Sequence, residues 1–236
     1  MRRLELIGLE NIDEIKGGDS VAALICSACS RQSIGLLDDD VLVVAQKIVS
    51  KAEGRTICLD DVQPSARAIE LAGQLDKEPA LVEVILRESR EIVRMGGRAL
   101  IVETHHGFIC ANAGVDQSNV GLRQVALLPK DPDGSARAIR NEINGRIGKR
   151  PAVIISDSFG RPWRVGTVDV AVGVSGLKCI KDERGLTDRY GYQLKAAVAA
   201  VADEIAAAAE LVMGKRDGVP VVIVRGCEID KEDGSV

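Results

Sequence analysis

Two short segments hold the residues best suited to do chemistry. One is Asn112-Ala-Gly-Val-Asp-Gln-Ser-Asn119 and the other is Ser156-Asp-Ser-Phe-Gly-Arg161. Each follows apolar stretches that read as buried strands: Ala99 to Val102 with Phe108 to Cys110, and Ala152 to Ile155. Each then breaks into small, oxygen-bearing residues around a glycine. A carboxylate delivered from a strand end into such a turn suits a hard cation or a phosphate. Asp116 and Asp157 would then share one divalent cation, with Ser158 beside them. Taken alone, Asp116 and Asn119 fit an Asx-turn that merely closes a loop equally well.

Other residues offer supporting chemistry. Lys51 follows the strongest apolar run and would place a point charge on a phosphate. By itself it reads as a solvated lysine where a strand exits into a loop. Gly160-Arg-Pro-Trp-Arg164 sets two guanidinium groups, Arg161 and Arg164, around the ring of Trp163, which suits an anionic, partly aromatic ligand or a plain surface loop. Met213-Gly-Lys-Arg-Asp-Gly-Val219 is polar and flanked by glycine, either a wrap around a nucleotide or a connector. There is no P-loop and no G-x-G-x-x-G after the first strand, so a nucleotide would need another cradle. His105 and His106 are adjacent and would point to opposite faces of a strand, which disfavours joint chelation.

The elements that must position these residues follow from pattern. Leu4 to Leu9 reads as a strand, Ser20 to Arg31 as a helix, and Val41 to Ala45 as a central strand. Pro64 fits the first position of a helix running to about Leu75, and a second helix follows from Pro79 to about Arg90. Short strands are expected at Glu91 to Val93, Ala99 to Val102 and Phe108 to Cys110. Asp131 caps a helix reaching Ile147. A β region follows at Val165 to Leu177, then an alanine-rich helix from Gly191 to Met213 with Leu194, Val198, Val201 and Ile205 on one face. Val219 to Val224 closes the chain as a buried strand. Strands and helices mix without strict alternation, so a mixed α/β (α+β) fold is expected rather than a doubly wound one.

The 236 residues are 46% hydrophobic with a net charge of -4, enough for a real core and inconsistent with a disordered chain. The mixed charge excludes a general nucleic-acid binder. No apolar run approaches a membrane span, and Met1-Arg-Arg-Leu-Glu-Leu6 is not a signal peptide, so a cytoplasmic protein is expected. Cys26 and Cys29 have the spacing of half a zinc site, but no second close pair completes it, and reduced thiols are the expectation. Aromatic residues make up only 2%, and all lie between Phe108 and Tyr192. Local packing and the gripping of a ring-shaped ligand both explain that clustering.

Taken together, these segments resemble the coenzyme F420-0:L-glutamate ligases, the gamma-glutamyl ligases of deazaflavin biosynthesis. The carriers are Val49-Ser-Lys-Ala-Glu-Gly-Arg55, the Asn112 to Asn119 and Ser156 to Arg161 segments, Asp131-Pro-Asp-Gly-Ser135, Ala202-Asp-Glu-Ile-Ala206 and Val222-Ile-Val-Arg-Gly226. The likeness spans nearly the whole chain. It implies an intertwined homodimer with mixed and antiparallel sheets, unlike ATP-grasp or Rossmann folds. Residues 1–236 would form one ligase unit of two interleaved subdomains, without the reductase-like domain fused to some bacterial relatives. It further implies a GTP-dependent amide ligase that joins L-glutamate to the lactyl carboxylate of coenzyme F420-0 through an acyl phosphate, then adds gamma-linked glutamates. Two divalent cations, Mg2+ or Mn2+, would assist, with K+ a further candidate.

Carried over residue by residue, Asp116 and Asp157 would hold one cation and Ser158 the second. Asp116, Asp157 and Lys51 would be the catalytic set. GTP would meet Ile12, Asp13, Glu14 and Ile15, then Gln46, Lys47, Lys51 and Asn119, and the run Met213, Gly214, Lys215, Arg216, Asp217, Gly218 and Val219. Arg161, Trp163 and Arg164 would grip the acceptor or glutamate. Lys215 departs from relatives that carry a carboxylate there for the second cation. Asp217 or the substrate would have to complete that site. A non-catalytic nucleotide- or deazaflavin-binding paralogue, and a glutamate ligase for another carboxylate acceptor, are the alternatives.

Overall fold

A computed structural model describes residues 3–236; Met1 and Arg2 of the N-terminal segment lie outside the described residues. The chain opens with β1 (Glu5–Gly8), α1 (Val21–Arg31), β2 (Val41–Ala45) and α2 (Gln46–Ala52). Ser20 caps α1, its hydroxyl accepting from the Ala23 N–H. Val41 to Val44 are wholly buried, as a strand covered on both faces must be. An excursion follows: β3 (Thr56–Cys58), α3 (Ala66–Leu75), α4 (Pro79–Arg87), β4 (Ser89–Gly96), β5 (Ala99–Thr104), β6 (Ile109–Ala111) and β7 (Gln124–Ala126). The chain returns through α5 (Pro132–Ile147), β8 (Ala152–Arg161) and β9 (Arg164–Ser175). The short β10 (Lys181–Asp182) and β11 (Val198–Ala199) precede α6 (Val201–Met213) and β12 (Val221–Arg225).

The main sheet has the order β1-β12-β2-β8-β9. Only β2 and β8 run parallel; the other neighbours are antiparallel. Strand alternation divides the core. Leu42, Val44, Val153 and Ile155 pack with α1 and α5, whereas Val41, Val43, Ala152 and Ile154 pack with α6. The excursion builds its own core from α3, α4 and the three-stranded sheet β4-β5-β6, with Leu71, Leu75, Ile85, Leu100 and Val102 at its centre. The fold is therefore mixed α/β with mixed sheets, as expected. Among the described residues no helix is long and apolar enough to cross a membrane.

Five local expectations need correction. Ser156 to Arg161 is not a break after a strand but the second half of β8. Its residues pair with β9 from Ser156↔Ala171 onward, after a register shift at Ile155/Ser156. The helix expected from Gly191 begins only at Val201. Before it, Leu194 and Ala197 exchange backbone hydrogen bonds with Gly185, Leu186 and Glu183, so pairing across a loop overrides alanine's helix preference and the proposed Leu194–Val198 face does not exist. Pro64 lies outside α3, which Ser65 caps, and α4 ends at Arg87, leaving Arg90 in β4. Lys51 is on α2 rather than in a loop, and the short β3–β7 pair was not foreseen.

Candidate active site

A cavity of about 590 Å3 opens where β2 ends beside Ser156 of β8, facing the loop after β6. That volume suits a nucleotide-sized ligand. Ligands at the carboxyl ends of strands are the general expectation for open α/β sheets. Asp116 and Asp157, far apart in the sequence, both line it, together with Ser158, Lys47, Lys51 and Asn119. Ile12 to Ile15, Gln46, Met213 to Arg216, Gly218 and Val219 complete much of the wall. Of the residues assigned to a nucleotide, Asp217 alone does not line it. Its carboxylate instead lies against Gly214, where φ is +55 and a Cβ would collide with it.

Asp116 is placed by an unusual backbone. Asn112, Ala113 and Gly114 all have positive φ, and the chain then pairs Asp116 with Ala126 through two backbone hydrogen bonds. The Asp116 carboxylate accepts from the Ser118 N–H at 2.7 Å and its hydroxyl at 2.9 Å. The Asx-turn is thus real, yet Oδ2 also accepts from the Lys47 ammonium at 2.7 Å. Burial acts to raise the Asp116 pKa, but Lys47 and the Ser118 donors outweigh it and hold the carboxyl below its ordinary value. Lys51 pairs with Glu14 at 2.5 Å. Asn119 donates to the Lys215 carbonyl at 3.1 Å, tying the loop after α6 to the loop after β6. The Lys215 side chain contributes a positive charge where relatives were expected to carry an acid.

Asp157 lies in the opposite electrostatic regime. Burial pushes its carboxyl up to about 7, and the neighbouring Asp116 and Asp169 carboxylates push the same way against the Ser158 N–H and Lys47. Asp169 was missed in the sequence. It sits on β9 across from Ser158, is 6% exposed, and accepts from the Ser158 hydroxyl at 2.6 Å and the Ser156 hydroxyl at 3.0 Å. Its N–H donates to Glu210 of α6 at 3.3 Å, and both acids line the cavity. The available signal was an acid within the apolar run Val168-Asp-Val-Ala-Val172.

The donor set fits a hard cation. Carboxylates and a hydroxyl converge, and Lys47 already shows that the position at Asp116 draws positive charge. Among the described residues no three Asp, Glu, His or Cys groups form a closed metal cage. A Mg2+-like ion held by one or two carboxylates normally takes its remaining ligands from water and substrate phosphates.

Arg161, Trp163 and Arg164 are not brought to this cavity. They occupy the β8–β9 hairpin tip, where Arg161 donates to the Val165 and Gly166 carbonyls and Trp163 is 79% exposed. The rings form no common ligand clamp either: Phe108 and Phe159 pack edge to face, while Tyr190 and Tyr192 are exposed. His106 stacks on Phe108 within a turn, not a strand. All six cysteines are free thiols.

The raised pKa of Asp157 has a measurable consequence without any ligand. Between about pH 4 and pH 7 this carboxyl binds more protons folded than unfolded, so its contribution to stability falls as pH rises through that window. Asp157→Asn removes the buried charge. It should raise Tm at pH 8 by roughly 2–4 °C, equivalent to about 1 kcal/mol for a chain this long, and by much less at pH 5. Equal gains at both pH values in thermal melts would show that charge burial is not the cause.

Residues 10–226 match the family described as F420-0:Gamma-glutamyl ligase. A coenzyme F420:L-glutamate ligase of Methanothermobacter thermautotrophicus is 51% identical over 224 residues, covering 94% of this chain and 89% of that protein. Proteins of the same name from Methanocaldococcus jannaschii and Archaeoglobus fulgidus are 46% and 44% identical, covering 99% and 98% of this chain and 92% and 90% of their own lengths.

Proposed function

Because the chain belongs to the F420-0:gamma-glutamyl ligase family, we propose that it joins L-glutamate to coenzyme F420-0, using GTP and divalent cations in the cavity between β2, β8 and the loop after β6. The observation that carries this reading is the convergence of Asp116 and Asp157 with Lys47 and Lys51 on one cavity of nucleotide size. Asp116, Asp157 and the Ser158 hydroxyl would hold Mg2+ or Mn2+. Bound there, the cations would neutralise charge on the phosphate oxygens during transfer. Lys51, released from Glu14, would add its charge to the terminal phosphates. Asn119 would fasten the two loops that close over the nucleotide.

In the proposed sequence the lactyl carboxylate attacks the γ-phosphorus and GDP leaves. The glutamate amine then attacks the acyl carbon, inorganic phosphate departs, and the amine proton is lost to solvent. Arg161, Trp163 and Arg164 on the exposed β8–β9 hairpin do not reach the reacting groups of this cavity. The same hairpin, with Val165 97% exposed, and the arm bearing Tyr190 and Tyr192 are assigned to an intertwined homodimer. Light scattering should give twice the chain mass.

The direct test combines purified protein with F420-0, L-glutamate, GTP and Mn2+. GDP release and a glutamylated product by mass spectrometry are expected, each dependent on all four components. Nucleotide binding without phosphate release in that mixture would instead point to a non-catalytic paralogue. Turnover with a different carboxylate acceptor, but none with F420-0, would point to another ligase.

A further inference from the structure

Lys47 has a partner that a simple nucleotide contact does not explain. Its ammonium lies 2.7 Å from Asp116 Oδ2 and 2.7 Å from the Ser118 hydroxyl, and its side chain is only 16% exposed against 36% for Asp116. It stands in the first turn of α2, one turn before Lys51, and both lysines line the cavity. An ammonium offers three donors on a flexible stem, so it can satisfy a carboxylate without the locked bidentate geometry of arginine.

We propose that Lys47 is a resident cation for Asp116, competing with a divalent ion for that carboxylate until the phosphates of a nucleotide draw the ammonium away. The proposal deepens the ligase reading and rests on Asp116 as a cation ligand. A metal ion arriving alone must displace Lys47 with nothing to receive its charge. A nucleotide arriving alone must take Lys47 away and leave Asp116 unpaired beside Asp157. Together each removes the other's obstacle, so metal and nucleotide bind with positive coupling that needs no movement of the fold.

The probe is Mn2+ alone, titrated into nucleotide-free protein and followed by electron paramagnetic resonance of the free ion. Lys47→Met and Lys47→Gln should each bind Mn2+ about tenfold more tightly than the parent chain, a gain that loss of a merely structural lysine would not produce. Asp116→Ala should abolish that binding. If the parent chain binds Mn2+ and neither Lys47 variant binds it more tightly, the competition is overturned while the cation site stands. If Asp116→Ala keeps the parent affinity, or no protein binds Mn2+, both the competition and the assignment of Asp116 as a cation ligand fail.

Discussion

Asp116→Ala and Asp157→Ala should each lower glutamate-dependent GDP release by about a thousandfold or more, with the fold intact by circular dichroism. Each removes a carboxylate from the end of the cavity where Lys47, Ser158 and Asp169 converge. Stabilisation of charge that develops only in the transition state is the largest single term in most such reactions, and single groups supply about 10²- to 10³-fold of it. Removal of a cation ligand also forfeits what the ion supplies, which places these two substitutions at or beyond the upper end. Asp169→Asn should lie between these variants and the parent, at roughly 10- to 100-fold. Asp169 accepts the Ser158 hydroxyl hydrogen bond and so leaves the serine lone pairs available to a cation, an orienting role that an amide fills poorly. A stopped-time assay at saturating GTP and Mn2+ ranks the three. Near-parent activity in Asp157→Ala would remove the cation site from β8 altogether.

The sequence was most informative where pattern and chemistry coincide. Val41 to Ala45 is apolar throughout because both faces are covered, and Asp131 caps α5, its carboxylate accepting from the Gly134 N–H. Asp116 and Asp157 were visible because each follows an apolar run and neighbours small polar residues. Asp169 was not, since its significance lies in register: only the pairing of Ser158 with Asp169 across β8 and β9 brings the carboxylate to the hydroxyl. Lys47 was visible as a candidate, but its pairing with Asp116 depends on how the loop after β6 folds back to Ala126. The alanine-rich stretch before Val201 misled because local helix preference is a fraction of a kcal/mol per residue, and a few cross-loop hydrogen bonds outweigh it. The hairpin residues Arg161 to Arg164 read as a ligand grip from composition, yet the strand carries them past the cavity into solvent.

Asp40→Ala should lower stability by about 2–3 kcal/mol, or roughly 4–12 °C in Tm, because it removes the buried carboxylate that the half-buried Arg225 guanidinium and the Leu37 N–H both bond. Asp40 is 0% exposed and sits just before β2. Its carboxylate accepts from Arg225 Nε at 2.8 Å and Nη2 at 2.7 Å, and from the Leu37 N–H at 2.8 Å. The pair clamps the end of β12 to the start of β2, and its hydrogen bonds raise the Arg225 pKa. Removal leaves the guanidinium with the Gly35 carbonyl and leaves the Leu37 N–H without this acceptor. Chemical denaturation of Asp40→Ala, Arg225→Met and the double variant isolates the coupling. The double variant should lose less than the sum of the singles, and strict additivity would mean the clamp contributes nothing. Asp40, just before β2, and Asp157, on the adjoining β8, are both aspartates withdrawn from water, yet removing the charge should destabilise the chain at position 40 and stabilise it at position 157. Burial alone cannot produce opposite signs. The difference is whether the fold supplies the countercharge itself, as Arg225 does for Asp40, or leaves it to be delivered by a ligand.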